Sequence, residues 1–192
     1  MPSPKTALLA LLAAASALAA PAPAEPRAGA PNILSQLITA GGKPLCLDAR
    51  DGLVANGTAV QLWECFEGNR NQLWLTGQRD GVTYRPSILP GEEDVGLCLD
   101  AGEEPANGSR VHLWKCFNWL PQQRWEMVRT AWGPGSYLRL RDRDLCLDVT
   151  DGAFENGTPL QVWKCTEGPN QLFRRVSKEQ GGRPYSPTVS PV

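Results

Sequence analysis

The fold of this chain is decided by a block that begins Leu45-Cys46-Leu47-Asp48, continues through Asn56-Gly57-Thr58 and Gln61-Leu62-Trp63-Glu64-Cys65, and ends Asn71-Gln72-Leu73-Trp74. The same block returns twice, from Leu97 to Trp125 and from Leu145 to Phe173. Its opening cysteines recur about every 50 residues, and a period of that length signals a repeat architecture. A catalytic site is normally built once, whereas a binding site can usefully be repeated, so the threefold block favours binding over catalysis.

Alternation of side chains within each block predicts short strands with two different faces. In residues 60–65, Val60 and Leu62 point to one side of the strand, while Gln61, Trp63 and Cys65 point to the other. The segment 45–48 divides in the same way and places Asp48 on the face of the tryptophan. The aliphatic residues are therefore expected in the core, with the polar residues and the tryptophan outside it.

Four strands are predicted in each repeat, which makes twelve in all. Two belong to the block just described, one precedes it at 35–40, 81–87 or 136–141, and one lies at the amide-aromatic element, as at 72–75. Threefold repetition of short strands with little helix predicts an all-β protein whose sheet closes on itself. Trp74, Trp125 and Phe173 are the predicted plugs of its core.

Six cysteines, two in each block, predict a disulfide framework. Six cysteines can pair in fifteen ways in general, and the repeat selects one pairing within each block: Cys46–Cys65, Cys98–Cys116 and Cys146–Cys165. A zinc site is the alternative, but no two cysteines have C-x2–4-C spacing and His112 is the only histidine. Such bonds persist in oxidising compartments.

Residues 1–20 have the composition of a secretory signal peptide. Lys5 precedes an Ala- and Leu-rich run that ends in the A-x-A motif Ala17-Leu18-Ala19. The run is shorter than the roughly 20 apolar residues that span a bilayer, and a buried helix is the alternative interpretation. We therefore expect a secreted, extracellular protein with a Pro/Ala-rich linker at 21–32, repeats at about 33–80, 81–131 and 132–177, and a disordered tail at 178–192.

Charge patterning excludes two classes of partner. The net charge is −1, and basic and acidic residues are interspersed without a run of either sign. Nucleic acid and anionic membranes are therefore not expected as partners. No segment after residue 20 has the composition of a transmembrane span.

An Asn-Gly pair lies between the two strands of every block, within Asn56-Gly57-Thr58, Asn107-Gly108-Ser109 and Asn156-Gly157-Thr158. Asn-Gly tolerates the positive φ of a tight hairpin turn, which is the first interpretation. The triplets are also N-glycosylation sequons. Pro159 follows the third sequon, so Asn56 and Asn107 are the candidate glycosylation sites.

The repeated pattern C-L-D, Q-L-W-x-C and N-Q-L-W resembles the ricin B-type lectin domain, which is also classed among carbohydrate-binding modules. The resemblance covers residues 33–177 and rests on three copies in register. It implies a β-trefoil of three four-stranded repeats with pseudo-threefold symmetry, in which three hairpins cap a six-stranded barrel. It also implies one shallow pocket per repeat for galactose-type or xylose-type glycans. We expect a monomer with no catalytic residue, cofactor or metal.

The resemblance implies a role for each residue of the block. The aspartate accepts hydrogen bonds from two sugar hydroxyls, and the tryptophan stacks on the sugar ring. The asparagine bonds a hydroxyl, the glutamine after it steadies the aspartate, and the glutamine before the tryptophan contributes a further contact. In the first and third repeats these residues are Asp48, Gln61, Trp63, Asn71, Gln72, Asp148, Gln161, Trp163, Asn170 and Gln171. The second repeat is the weaker candidate and has Asp100, His112, Trp114, Gln122 and Gln123.

Three departures from the family pattern stand out. His112 and Gln122 replace the usual glutamine and asparagine, which weakens the second pocket. Phe173 replaces the usual core tryptophan. The position after the second cysteine is often a polar sugar contact in family members, and Phe66, Phe117 and Thr166 occupy it here.

These residue types suit a sugar, because a pyranose has an apolar C–H face for an aromatic ring and a rim of hydroxyls for carboxylate and amide groups. The expected rim pocket stays wet, so Asp48 should stay ionised. The alternatives are packing of the tryptophan against the disulfide, capping by the aspartate and turn formation by the amide pair. The alternative function is a protein-binding trefoil such as a protease inhibitor. An enzyme is disfavoured, because the carboxylates lie in different repeats and imply no close acid/base pair.

Overall fold

A computed structural model describes residues 34–76, 83–84, 87–88, 96–130 and 135–177. The predicted signal peptide, linker and tail lie outside these residues. The described part of the chain contains fourteen strands and no α-helix. The strands are β1 (Leu34–Thr39), β2 (Cys46–Ala49), β3 (Val60–Trp63), β4 (Trp74–Leu75), β5 (Thr83–Tyr84), β6 (Ser87–Ile88), β7 (Leu97–Asp100), β8 (Ser109–Arg110), β9 (His112–Lys115), β10 (Trp125–Arg129), β11 (Ser136–Leu140), β12 (Leu145–Val149), β13 (Leu160–Lys164) and β14 (Phe173–Ser177).

The strand count exceeds the predicted twelve because two strands are divided. The strand predicted at 81–87 forms the separate pieces β5 and β6, and only Val111 separates β8 from β9. The strand predicted at 72–75 begins later, at Trp74, because Gln72 lies in a 3₁₀ turn, Arg70–Gln72. Four strands per repeat therefore remain the underlying pattern.

The sheet closes into a barrel through pairing of its first and last strands. β1 pairs with β14 from Ser35–Ser177 to Thr39–Phe173, and it pairs with β4 along its other edge. The circuit continues through β4–β6, then β5–β10, β10–β11 and β11–β14. With β5 and β6 counted as one strand, this is a six-stranded barrel. The hairpins β2–β3, β7–β9 and β12–β13 cap it, so the chain is the predicted β-trefoil.

The core is filled by the residues that alternation assigned to it. Trp74, Trp125 and Phe173 are fully buried, as predicted, together with the leucines and valines of the strands. The indole N–H of Trp74 donates to the Leu47 carbonyl at 3.1 Å, and that of Trp125 donates to the corresponding Leu99 carbonyl at 3.0 Å. Phe173 has no such donor, so the third repeat fills the same space without this hydrogen bond.

Each repeat is closed by the disulfide predicted for it. The bonds join Cys46 to Cys65, Cys98 to Cys116 and Cys146 to Cys165, with Cα–Cα distances of 5.0–5.1 Å. Each bond ties the first strand of a hairpin to the end of the second strand. In the chain-entropy model, a loop of this size contributes about 3 kcal/mol to the free energy of unfolding.

The Asn-Gly pairs form tight turns, as predicted, but each lies within a longer connection between the two hairpin strands. In the first repeat, Thr58 N–H donates to the Ala55 carbonyl at 3.2 Å, and the turn lies within the longer connection from β2 to β3. Gly57 has a φ of 85°, whereas Asn56 is not among the residues with positive φ. This combination matches a type II turn, which needs glycine only at its third position.

Candidate functional site

The hairpin register brings the predicted site residues together on one face. Asp48 lies opposite Gln61 across β2–β3, and Cys46 lies opposite Trp63. The third repeat has the same register, with Asp148 opposite Gln161 and Cys146 opposite Trp163. In the second repeat, Asp100 faces His112 and Cys98 faces Trp114. Each hairpin therefore places its carboxylate and its tryptophan on the side away from the aliphatic core.

A buried glutamine clamps the carboxylate in every repeat. Gln72 Nε2 donates to Asp48 Oδ2 at 3.0 Å and to the Glu64 carbonyl at 2.8 Å, while its Oε1 accepts from Phe66 N–H at 2.9 Å. Gln123 and Gln171 make the same three kinds of bond. All three glutamines are fully buried. They therefore hold the aspartate from behind, which is the role that the resemblance implies for them.

The first pocket is completed by a chain of polar contacts around Asp48. Its Oδ1 accepts from Gln61 Nε2 at 3.3 Å, and Gln61 Oε1 accepts from Arg50 Nε at 3.1 Å. Among the described residues, Asn71 makes no side-chain hydrogen bond, although its backbone N–H donates to Asn69 Oδ1 at 3.1 Å. The Asn71 amide therefore remains available to a hydroxyl beside the carboxylate.

The carboxylate of the third pocket accepts more side-chain hydrogen bonds than the carboxylate of the first. Asp148 Oδ1 accepts from Gln161 Nε2 at 2.9 Å, and Oδ2 accepts from Gln171 Nε2 at 2.9 Å and from Asn170 Nδ2 at 2.6 Å. The asparagine that is unbonded in the first pocket thus orients the carboxylate in the third. The two pockets have the same residues, but they differ in which polar side-chain groups remain free to bond a ligand.

A left-handed Asp-Gly turn lies beside each of these two pockets, and the sequence argument did not single it out. Asp51 and Gly52 have φ values of 58° and 67°, and residues 151 and 152 have values of 55° and 63°. A methyl group added at Gly52 would lie 3.0 Å from Nδ2 of Asn71. The signal was present in the sequence, because Asp-Gly follows the aspartate at the same distance in the first and third repeats only.

The second repeat uses its carboxylate for its own structure. Asp100 Oδ1 accepts from the Gly102 N–H at 2.7 Å, and Oδ2 accepts from Gln123 at 2.8 Å. His112 Nε2 lies 3.8 Å from Asp100 Oδ1. Gln122, the predicted counterpart of the asparagines, is buried. A backbone N–H therefore takes the place that the glutamine side chains of Gln61 and Gln161 have in the other two repeats.

The three tryptophans keep part of their rings exposed. Trp63 is 37% exposed and Trp163 is 41% exposed, and Trp114 is similar. The second repeat also carries Trp119, which is 72% exposed and packs against Phe117 with ring centroids 5.1 Å apart. Trp119 lies outside the repeated pattern, so the comparison of the three blocks did not identify it.

The carboxylates of Asp48 and Asp148 are less exposed to solvent than expected. Asp48 is 5% exposed and Asp148 is 1% exposed. Burial raises the pKa of both carboxyls above the ordinary value of 3.8, and their glutamine hydrogen bonds only partly oppose this rise. The expectation of a solvated rim is therefore corrected: the carboxylates lie at the floor of the pockets. The described residues contain no group of three or more potential metal ligands.

Comparison with protein-family models gives one match over the described domain. The model of the ricin-type beta-trefoil lectin domain matches residues 35–173. Comparison with curated proteins finds no match.

Solved structures similar to this chain include natural lectins and a designed protein. The earthworm R-type lectin C-half, solved in complex with GalNAc, is 26% identical with a TM-score of 0.56, and the alignment covers 77% of this chain and all of that one. The designed threefold-symmetric protein ThreeFoil is 20% identical with a TM-score of 0.67, covering 74% and 97%. The Macrolepiota procera ricin B-like lectin, solved with lactose, is 16% identical with a TM-score of 0.61, covering 74% and 94%. The last two likenesses show the fold alone.

Proposed function

Because the chain belongs to the family of ricin-type β-trefoil lectins, we propose that it recognises galactose-type or xylose-type glycans through the pockets of its first and third repeats. A domain of this family is generally a non-catalytic, carbohydrate-binding module, and we propose no catalytic role here. The assignment of the sugar sites to the first and third repeats rests on their shared arrangement of aspartate, glutamines and tryptophan. Asp48 and Asp148 are each held by two glutamines and lie on the face of a partly exposed tryptophan.

The arrangement suits a pyranose. The exposed ring of Trp63 or Trp163 offers a surface for the apolar C–H face, and the carboxylate accepts from two hydroxyls on the rim. Bonds to an ionised acceptor are about twice as strong as neutral ones. The galactose-type class is supported by the earthworm lectin, whose structure contains GalNAc. The xylose-type class rests on the resemblance of the sequence.

The two pockets differ at one edge. Phe66 is exposed and follows Cys65 in the first repeat, whereas Thr166 occupies the same position in the third. The Thr166 hydroxyl lies 3.3 Å from Gln171 Oε1. We therefore propose that the first pocket tolerates an apolar substituent on the sugar better than the third.

We also propose that the protein is secreted and monomeric. The three disulfides agree with an oxidising compartment. Within the described ranges, there is no helix of the length and apolar character needed to cross a membrane. Asn56 and Asn107 remain the candidate glycosylation sites, and both are exposed.

A glycan array tests the proposal most directly. The wild-type protein is expected to bind galactose-terminated or xylose-containing glycans, and Trp63→Ala combined with Trp163→Ala is expected to lose that signal. Removing an aromatic contact of about 1.4 kcal/mol weakens a pocket about tenfold. Trp114→Ala is the matched control and should keep the wild-type profile. Undiminished binding by the double variant would show that sugars bind elsewhere.

Binding is expected to weaken in acid because of the two buried carboxylates. Only the ionised group accepts two hydroxyl bonds, so binding is complete above the raised pKa of Asp48 and Asp148 and is lost as the pH falls through it. The midpoint should therefore lie above 3.8. Calorimetric titration over about pH 3 to 8 measures this profile. A double variant with asparagine at both positions should bind weakly without this pH dependence, and a midpoint at or below the ordinary value would contradict the assignment.

A further inference from the structure

The asparagines of the three Asn-Gly turns connect the repeats in a cycle. Asn156 Oδ1, in the third repeat, accepts from the Glu64 N–H of the first at 2.8 Å. Asn56 Oδ1 accepts from the Lys115 N–H of the second repeat at 2.7 Å, and Asn107 Oδ1 accepts from the Lys164 N–H of the third at 2.7 Å. Each asparagine oxygen thus accepts its hydrogen bond from a neighbouring repeat and not from its own.

Two of the residues held in this way are the neighbours of Trp63 and Trp163, which are proposed to stack on the sugar ring and are called platforms below. Glu64 directly follows Trp63 in the sequence, and Leu62 directly precedes it. The Leu62 carbonyl accepts a hydrogen bond from the Gly157 N–H at 2.8 Å. One Asn-Gly turn of the third repeat therefore fixes the backbone on both sides of Trp63. Around Trp163, Asn107 and Gly108 of the second repeat bond in the same way to Lys164 and to the Val162 carbonyl, the latter at 2.9 Å.

The rings of the two proposed platforms also lie against these turns. A methyl group added at Gly157 would lie 3.9 Å from Cζ3 of Trp63, and one added at Gly108 would lie 3.8 Å from Cζ3 of Trp163. The corresponding position in the turn beside Trp114, Gly57, has nothing within 4 Å. A side chain at the turn glycine would therefore touch the tryptophan ring in these two pockets, and it would meet nothing within 4 Å in the turn beside Trp114.

We propose that Asn156 and Asn107 are positioning residues for the sugar pockets: the third repeat orients the platform of the first, and the second repeat orients the platform of the third. The inference rests on the proposed function of Trp63 and Trp163. It gives the second repeat a part in binding through Asn107-Gly108, although its own block lacks the full set of pocket residues. Asn56, which holds the strand beside Trp114, has no such part in either pocket.

A ligand-free measurement tests the positioning itself. Protein labelled with 5-fluorotryptophan carries seven fluorinated tryptophans, and Trp63→Phe and Trp163→Phe assign two of their ¹⁹F NMR signals. Asn107→Ala is expected to move the Trp163 signal and leave that of Trp63 in place, and Asn156→Ala should do the reverse. Asn56→Ala is the matched control, which should move neither. Asn107→Asp keeps an acceptor oxygen and should restore the Trp163 signal.

A binding measurement then tests the consequence for each pocket. Calorimetry with lactose and with xylotriose is run in an Asp48→Ala background, which isolates the third pocket, and in an Asp148→Ala background, which isolates the first. Loss of one hydrogen bond changes an equilibrium about fivefold. Asn107→Ala should weaken the third pocket by about this factor and leave the first within about twofold.

The outcomes separate the two proposals. Wild-type protein that binds neither sugar would overturn the proposed specificity, while selective ¹⁹F shifts would still support the positioning. Equal shifts of both signals in Asn107→Ala, or an equal effect of Asn56→Ala, would overturn the positioning. Should Asn107→Ala fail to fold, Asn107→Leu carries the same test, because leucine has a similar shape without an acceptor oxygen, and an unmoved Trp163 signal in that folded variant would also overturn the positioning.

Discussion

Sugar binding is expected to disappear when Asp48 and Asp148 are both replaced by alanine. Each carboxylate is the acceptor that the glutamines hold in its proposed pocket, and a hydrogen bond to a charged group contributes about 1.5–3 kcal/mol. A single shallow pocket binds on about the millimolar scale, so a loss of ten- to a hundredfold per pocket removes measurable binding. Calorimetry and retention on immobilised glycan should both show the loss.

Single variants distinguish two independent pockets from one. Asp148→Ala should keep the monosaccharide affinity of the first pocket while losing the gain that two pockets give on a branched polysaccharide. That gain can reach about 10²–10⁴ when both pockets engage one glycan. Asp100→Ala is the matched control, because its repeat lacks the asparagine and the Asp-Gly turn of the two proposed pockets. Equal affinities of wild-type protein for monosaccharide and polysaccharide would contradict the idea that two pockets engage one glycan at the same time.

The largest loss of stability is expected from Trp74→Ala. The side chain is fully buried in the barrel core, and its indole N–H satisfies the Leu47 carbonyl. Truncation of a buried aromatic residue to alanine costs about 3–5 kcal/mol, which is a large part of the roughly 5–15 kcal/mol that stabilises a typical domain. Urea unfolding followed by circular dichroism measures the change in the free energy of unfolding.

The third repeat supplies the control for this experiment. Trp74→Phe recreates in the first repeat what Phe173 does in the third, since both fill the core without an indole donor. The cost should therefore be smaller than that of alanine, at about 1–3 kcal/mol for the unsatisfied Leu47 carbonyl and the lost volume. Alanine and phenylalanine variants of equal stability would mean that the core tolerates a cavity at this position.

Features that depend on local alternation and on the repeat could be predicted from the sequence. The inward leucines and valines, the three disulfides and the burial of Trp74, Trp125 and Phe173 all follow from side-chain direction within one block. The closed sheet follows from threefold repetition of blocks that each leave strand edges unpaired. The family resemblance then gave the β-trefoil, which the strand pairing confirms.

Features that depend on hydrogen-bond geometry could not be predicted in this way. The resemblance implies that Gln72 steadies the aspartate, but its full burial and its two further backbone partners come from the 3₁₀ turn that directs it inward. Burial of Asp48 follows from that same turn. The contacts of Asn107 and Asn156 join different repeats, and a pattern read within one repeat does not show them.

Pairing of β1 with β14 sets the order in which this domain can be completed during synthesis. Ser35 is made early, but its partner Ser177 emerges from the ribosome only at the end of the described chain. The hairpins and their disulfides can form as each repeat appears, because their partners are near in sequence. The barrel beneath them stays open until the last strand is released, and contacts between such distant residues are slow to form. The β1 strand can therefore pair early with β4, but its edge toward β14 is among the last to be paired.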